Sequence, residues 1–124
     1  MQFLLVAIGG AIGATCRHLV GILTLRLFGS GFPWGTITVN IVGSFLMGVI
    51  VELIAKRFNA SLELRLFLMT GILGGFTTFS SFSLDTAFLW ERGQTALALG
   101  YVVASVGLSV AALFGGLALV RSIA

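Results

Sequence analysis

"GGFTTFSSFS", residues 74–83, is an uncharged run of glycine, hydroxyl and aromatic side chains set inside an otherwise apolar segment. Before it, 66–76 is apolar or small apart from Thr70; after it, Leu84, Ala87, Phe88, Leu89 and Trp90 resume the apolar character. Gly74–Gly75 followed by Thr77–Thr78 is poor material for a continuous helix, because glycine favours other backbone conformations and hydroxyls compete for backbone hydrogen bonds. The stretch therefore predicts a break inside a membrane-crossing helix. A broken helix exposes carbonyls at the end of its first half and N–H groups at the start of its second, which attract cations and anions respectively. The expectation is an ion site built from backbone, without charged side chains.

The surrounding composition fixes the solvent. Of 124 residues, 58% are hydrophobic and 9% charged, whereas a soluble domain carries roughly 25% charged residues. Too few polar side chains exist to cover a water-facing surface, so the chain is read as an all-α integral membrane protein. Its length allows about four helices of ~20–25 residues and no additional soluble domain. The predicted spans of this single domain, 1–124, are about 3–28, 36–55, 66–90 and 95–120. "GSGFPWG" (29–35), "RFNASLELR" (57–65) and "ERGQ" (91–94) make the loops.

The net charge of +3 comes from basic residues scattered toward segment ends, the pattern of membrane-flanking anchors and not of a nucleic-acid footprint. Cys16 is the only cysteine, which excludes an intramolecular disulfide and a cysteine-based metal cluster. The first segment lacks a basic leader region, and "GATC" lacks the aliphatic residue expected three positions before a lipidated cysteine, so it reads as a retained membrane helix. With an even number of spans, Lys56, Arg57, Arg65 and Arg121 share one side of the membrane, and Arg26 and Arg92 the other. Such a bias is weak for a rule that works on large asymmetries. It would permit insertion in both orientations, and hence an antiparallel homodimer.

Glycine, 17 of 124 residues, is about twice as frequent as the usual ~7%. Gly9 and Gly13, Ser44 and Gly48, Gly71 and Gly75, then Gly107, Ala111 and Gly115 recur at four-residue spacing, which lets helix backbones approach closely in lipid. Two polar stripes are superimposed on this pattern. Thr36, Asn40 and Ser44 fall on one face of the second span, and Tyr101, Ser105 and Ser109 on one face of the fourth. Such groups must bond to each other, at about 0.6 kcal/mol per interhelical bond, or line a wet cavity. Two aligned ladders on an apolar chain favour a lined pathway. Asn40 is the strongest candidate, since an amide offers both donors and an acceptor.

Phe79 and Phe82 stand three apart on the second half-helix, where the positive ring edges can face an anion; packing is the plainer role. Arg17, deep in the first span, must face protein or water, either as a structural anchor or as an attractor of anions in a vestibule. His18 and Cys16 read as incidental, since one imidazole and one thiol cannot build a metal site. Glu52 and Asp85, toward span ends, are expected to pair with basic residues. Catalysis is not expected: the only histidine has no evident carboxylate partner, and no G-x-S-x-G elbow is present.

Over essentially its whole length the chain resembles the Fluc family, small fluoride channels of bacteria and some eukaryotes. The motifs are "GGAIGATCR", "WGTITVNIVGSFLMG", "GILGGFTTFSSFS" and "ERG". Ser81 stands where the family more often has threonine, which keeps the hydroxyl. The resemblance implies a dual-topology antiparallel homodimer in the bacterial inner (plasma) membrane, with two pores passing fluoride passively out of the cell. It implies Phe79 and Phe82 as pore phenylalanines, Asn40 as pore asparagine, Tyr101, Ser105 and Ser109 as a polar track, and Thr78 as a hydroxyl near the pore. It also implies a structural sodium ion at the dimer centre, held by the carbonyls of Gly74 and Thr77 from both subunits. Arg17 matches a basic residue of the first helix, with a vestibule or structural role. Two alternatives stand beside it. A proton-coupled small multidrug transporter needs a carboxylate in its first helix, where this chain has Arg17 and no acid. A non-transporting scaffold subunit would not need the aligned polar ladders.

Overall fold

Apolar runs without internal proline produce four helical stretches long enough to cross a bilayer, Gln2–Phe28, Trp34–Lys56, Leu62–Glu91 and Thr95–Ile123. The computed structural model describes residues 1–56 and 59–123; Arg57, counted in the charge balance above, lies outside the described residues.

Helix α1 (Gln2–Phe28) ends at Gly29, whose φ of 78° is a left-handed value suited to glycine, with its N–H donating to the Leu25 carbonyl. The chain's sole proline, Pro33, sits just before α2 (Trp34–Lys56), where a missing N–H leaves no helical bond unmade. The third span is composite. It opens with α3 (Leu62–Arg65), capped by Ser61, whose hydroxyl oxygen accepts the Leu64 N–H at 3.1 Å. It continues through a π-helical segment, Leu66–Leu73, and a short turn α4 (Gly74–Phe76), and resumes after the break as α5 (Phe79–Glu91). Gly93, with φ 82°, turns the chain into α6 (Thr95–Ile123).

The principal packing pairs are α1 with the π-helical segment and α4, and α2 with α6; α5 also lies on α6. Backbone contact at glycine makes both interfaces. A β-carbon on Gly9 would stand 2.6 Å from the Phe67 carbonyl oxygen, and one on Gly75 2.6 Å from that of Gly10. Gly48 meets the Leu113 carbonyl and Gly116 the Phe45 carbonyl just as closely. The expected stripe of Gly107 and Gly115 is not used within the chain: a β-carbon on either would meet no atom of the described residues within 4 Å. Gly116, one position on, turns toward α2 instead.

The buried core lies between α2, α5 and α6, around Ile37, Phe82, Leu89, Ala98 and Tyr101. Large apolar side chains such as Phe3, Leu27, Val103 and Phe114 face outward, as lipid contact requires. At one end of the bundle buried Glu52 accepts a hydrogen bond from Arg121 Nε at 3.1 Å, the basic partner expected for it. Asp85 departs from expectation. Its carboxylate accepts the Tyr101 hydroxyl at 3.1 Å, because it follows Phe82 by three residues on the face of α5 turned toward α6.

Candidate ion pathway

The break in the third span is made by the threonines. Gly74 keeps helical angles, φ −62° and ψ −37°, whereas Thr77 (φ −85°, ψ 158°) and Thr78 (φ −154°, ψ 119°) are extended. The Thr77 N–H and hydroxyl both donate to the Leu73 carbonyl, each at 3.0 Å, closing the first half-helix. The amide of Asn40 then pairs with the extended backbone of Thr78. Asn40 Oδ1 accepts the Thr78 N–H at 2.8 Å, and Asn40 Nδ2 donates to the Thr78 carbonyl at 3.1 Å. Thr78 Oγ1 caps α5 by accepting the Ser81 N–H at 3.1 Å.

These bonds free specific carbonyls. In an unbroken helix Thr78 N–H would donate to Gly74 and Ser81 N–H to Thr77. Here Asn40 Oδ1 takes the first donor and Thr78 Oγ1 the second. The Gly74 and Thr77 oxygens thus lose their helical donors where water is scarce. Neutral carbonyl oxygens with no anionic side chain suit a hard monovalent cation such as sodium, so the residues present fit the expected ion. Among the described residues no cluster of His, Cys, Asp or Glu offers a different metal site. The neighbouring Gly75 carbonyl is served by the protein itself, accepting from Arg17 Nε at 3.0 Å, a cation at the C-terminal end of the first half-helix.

Two spaces flank the break, each of about 430 Å³. The inner cleft, between α2, α5 and α6, is lined by Asn40, Ser44, Thr77, Thr78, Phe79, Phe82, Ser105 and Ser109 with apolar neighbours, and among the described residues no charged side chain borders it. The Ser105 and Ser109 hydroxyl oxygens are buried; Ser105 lies beside the Tyr101 hydroxyl, and Ser109 has no hydrogen-bond partner among the described residues. Phe79 and Phe82 form a tilted pair, centroids 5.5 Å apart and planes at 53°. Phe82 is buried while Phe79 is 76% exposed. Tyr101 borders neither space. It is wholly buried, packing on Phe82 at 5.3 Å and meeting Phe32 edge-on at 5.3 Å.

The outer chamber is lined by Arg17, His18, Thr36, Thr78, Ser81 and Asp85, among others. Thr78 borders both spaces, and the Thr36–Asn40–Ser44 stripe runs from the chamber into the cleft. Arg17 both bonds the Gly75 carbonyl and borders the polar chamber. His18, read as incidental, stands on the same wall; Cys16 borders neither space. Sequence reasoning missed Ser81 and Asp85 as chamber residues. The signal was there: Thr78, Ser81 and Asp85 at i, i+3 and i+7 form a polar face of α5.

Sequence comparison finds relatives over nearly the whole chain. The family described as CrcB-like protein, Camphor Resistance (CrcB), matches residues 4–117. A protein of Agrobacterium fabrum named fluoride-specific ion channel FluC is 62% identical over 119 residues, covering 96% of this chain and 95% of its own. One of the same name from Rhizobium leguminosarum bv. trifolii is 62% identical over 124 residues, covering 100% of this chain and 99% of its own. A third, from Rhizobium etli, is 58% identical over 123 residues.

Proposed function

The chain belongs to the CrcB-like family, and we infer from that membership that this multi-pass membrane protein is a fluoride-specific ion channel. The observation that carries the reading is the buried Ser109 hydroxyl, without a partner among the described residues, on a cleft that no charged side chain among them borders. A buried hydroxyl without a partner costs about 1–3 kcal/mol. An anion passing through the cleft supplies the missing acceptor.

Fluoride holds its water tightly, so a pore must offer donors in sequence. Asn40 retains one Nδ2 hydrogen beyond its bond to Thr78. Ser105 and Ser109 add two hydroxyls, and Phe79 and Phe82 offer ring edges. Arg17 concentrates anions in the chamber before the break. Tyr101 acts behind the pore, setting the Phe82 ring and fixed in turn by Asp85. The flow is passive. Hydrogen fluoride enters cells as a neutral acid and ionises inside, and an inside-negative potential drives the anion out. The pore must exclude chloride, since a chloride leak would collapse that potential.

The functional unit is an antiparallel, dual-topology homodimer in the bacterial inner membrane. The four-against-two basic balance supports it, as do the outward Gly107 and Gly115 and the exposed Phe79 ring, all free to meet a second copy. The Gly74 and Thr77 carbonyls of both subunits would hold a sodium ion there, its charge locking the two breaks together. Purified protein in liposomes tests the reading. Fluoride efflux with chloride retained is expected, and equal loss of both ions, or of neither, overturns it.

A further inference from the structure

We propose that Asn40 is the positioning residue that holds the helix break open, and so aims the Gly74 carbonyl at its cation. This inference rests on the cation reading above and extends it to a residue on a different helix, 38 positions away in sequence.

An N–H inside a membrane must find an acceptor. For Thr78 two acceptors compete: the Gly74 carbonyl, which would continue the helix, and Asn40 Oδ1, which ends it. Asn40 wins because its amide bonds both backbone groups of Thr78, at 2.8 and 3.1 Å, as a neighbouring strand would. The same pairing fixes the amide orientation, with oxygen toward the N–H and nitrogen toward the carbonyl. Thr78 is then extended, which sets its hydroxyl to cap Ser81 and removes that N–H from Thr77. A single side chain on α2 thus determines, directly for Gly74 and through Thr78 for Thr77, that both carbonyls lack their helical donors.

Close packing seats the break against α2. Gly43, three residues after Asn40, contacts the Thr77 methyl so closely that a β-carbon there would collide with it. The residue that lines the cleft is therefore also the one that shapes the cation site, and the two sites are coupled through one amide.

The acceptor and the donors of Asn40 can be separated by substitution. Asn40→Asp keeps an oxygen for the Thr78 N–H and loses the Nδ2 donors; Asn40→Leu keeps the volume and loses both. Two readouts distinguish the roles: NMR backbone shifts of Thr77 and Thr78, and the sodium concentration for half-maximal thermal stabilisation against N-methylglucamine. Asn40→Asp is expected to keep extended shifts and a sodium midpoint within about threefold of wild type. Asn40→Leu is expected to move both residues toward helical shifts and raise the midpoint at least tenfold.

Extended shifts and a wild-type midpoint in Asn40→Leu overturn the proposal. Helical shifts in Asn40→Leu, with no sodium response even in wild type, retain the hold of Asn40 on the break and discard the cation. Should Asn40→Leu not fold, the wild-type spectrum decides: a cross-peak between the Asn40 side-chain amide and the Thr78 backbone supports the clamp, and its absence rejects it.

Discussion

Ser105 and Ser109 lie four residues apart on one face of α6 with buried hydroxyl oxygens, Ser105 beside Tyr101 and Ser109 without a partner among the described residues. Replacement of Ser109 by alanine removes a group that destabilises the empty fold, and either replacement removes a donor that the anion would use. Ser109→Ala should therefore melt at or slightly above the wild-type temperature. Ser105→Ala and Ser109→Ala should each slow fluoride efflux by about ten- to hundredfold, the equivalent of a hydrogen bond to a charge at roughly 1.5–3 kcal/mol. Unchanged efflux in both would remove the hydroxyls from the path. These serines and Asn40 were legible in the sequence because polar side chains at four-residue spacing stand out on an apolar helix. The pairing of Asn40 with Thr78 was not. It joins residues 38 positions apart, and no local pattern reports a contact between two helices.

At the scale of the element, the broken third span was readable in "GGFTTFSSFS", where the sequence shared the cause between glycines and threonines and the structure gives it to the threonines. Gly74 stays helical, and Gly75 serves the close approach of α1 at Gly10. The helix breaks at the threonines: Thr77 and Thr78 are both extended, and Thr78 has its N–H bonded to Asn40 and its hydroxyl to the Ser81 N–H instead of to the preceding turn. The π-helical segment Leu66–Leu73 left no trace in the sequence, because apolar residues facing lipid and protein carry no signature of a widened turn. Glycine spacing identified one side of the α2–α6 contact and missed the other by one residue. Gly48 touches the Leu113 carbonyl, while Gly107 has only open space. Gly48→Ala should lower stability by about 1–3 kcal/mol, as overpacking a tight contact does. Gly107→Ala should leave the fold of the subunit intact. Thermal unfolding of both variants in detergent checks the contrast, and equal melting would place the α2–α6 contact elsewhere.

For the whole molecule, the proposed dual topology rests on charge and on exposed surface. Four basic residues against two give little preference for either orientation, and Arg121, one of the four, already answers Glu52. With Cys16 replaced by alanine, a Ser122→Cys variant should be labelled from both sides of intact cells. Labelling from one side alone, in fully inserted protein, would contradict dual topology. The proposed pathway is narrower still: fluoride would travel through the cleft bordered by Asn40, Phe79, Phe82, Ser105 and Ser109. Its most direct measurement is the initial rate of fluoride efflux from liposomes carrying wild type, Phe79→Ile or Phe82→Ile, with dimer assembly verified for each. Isoleucine keeps an apolar side chain and removes the ring edge. The account predicts rapid efflux from wild type and at least a tenfold slower rate from both assembled variants; wild-type rates in both would contradict it.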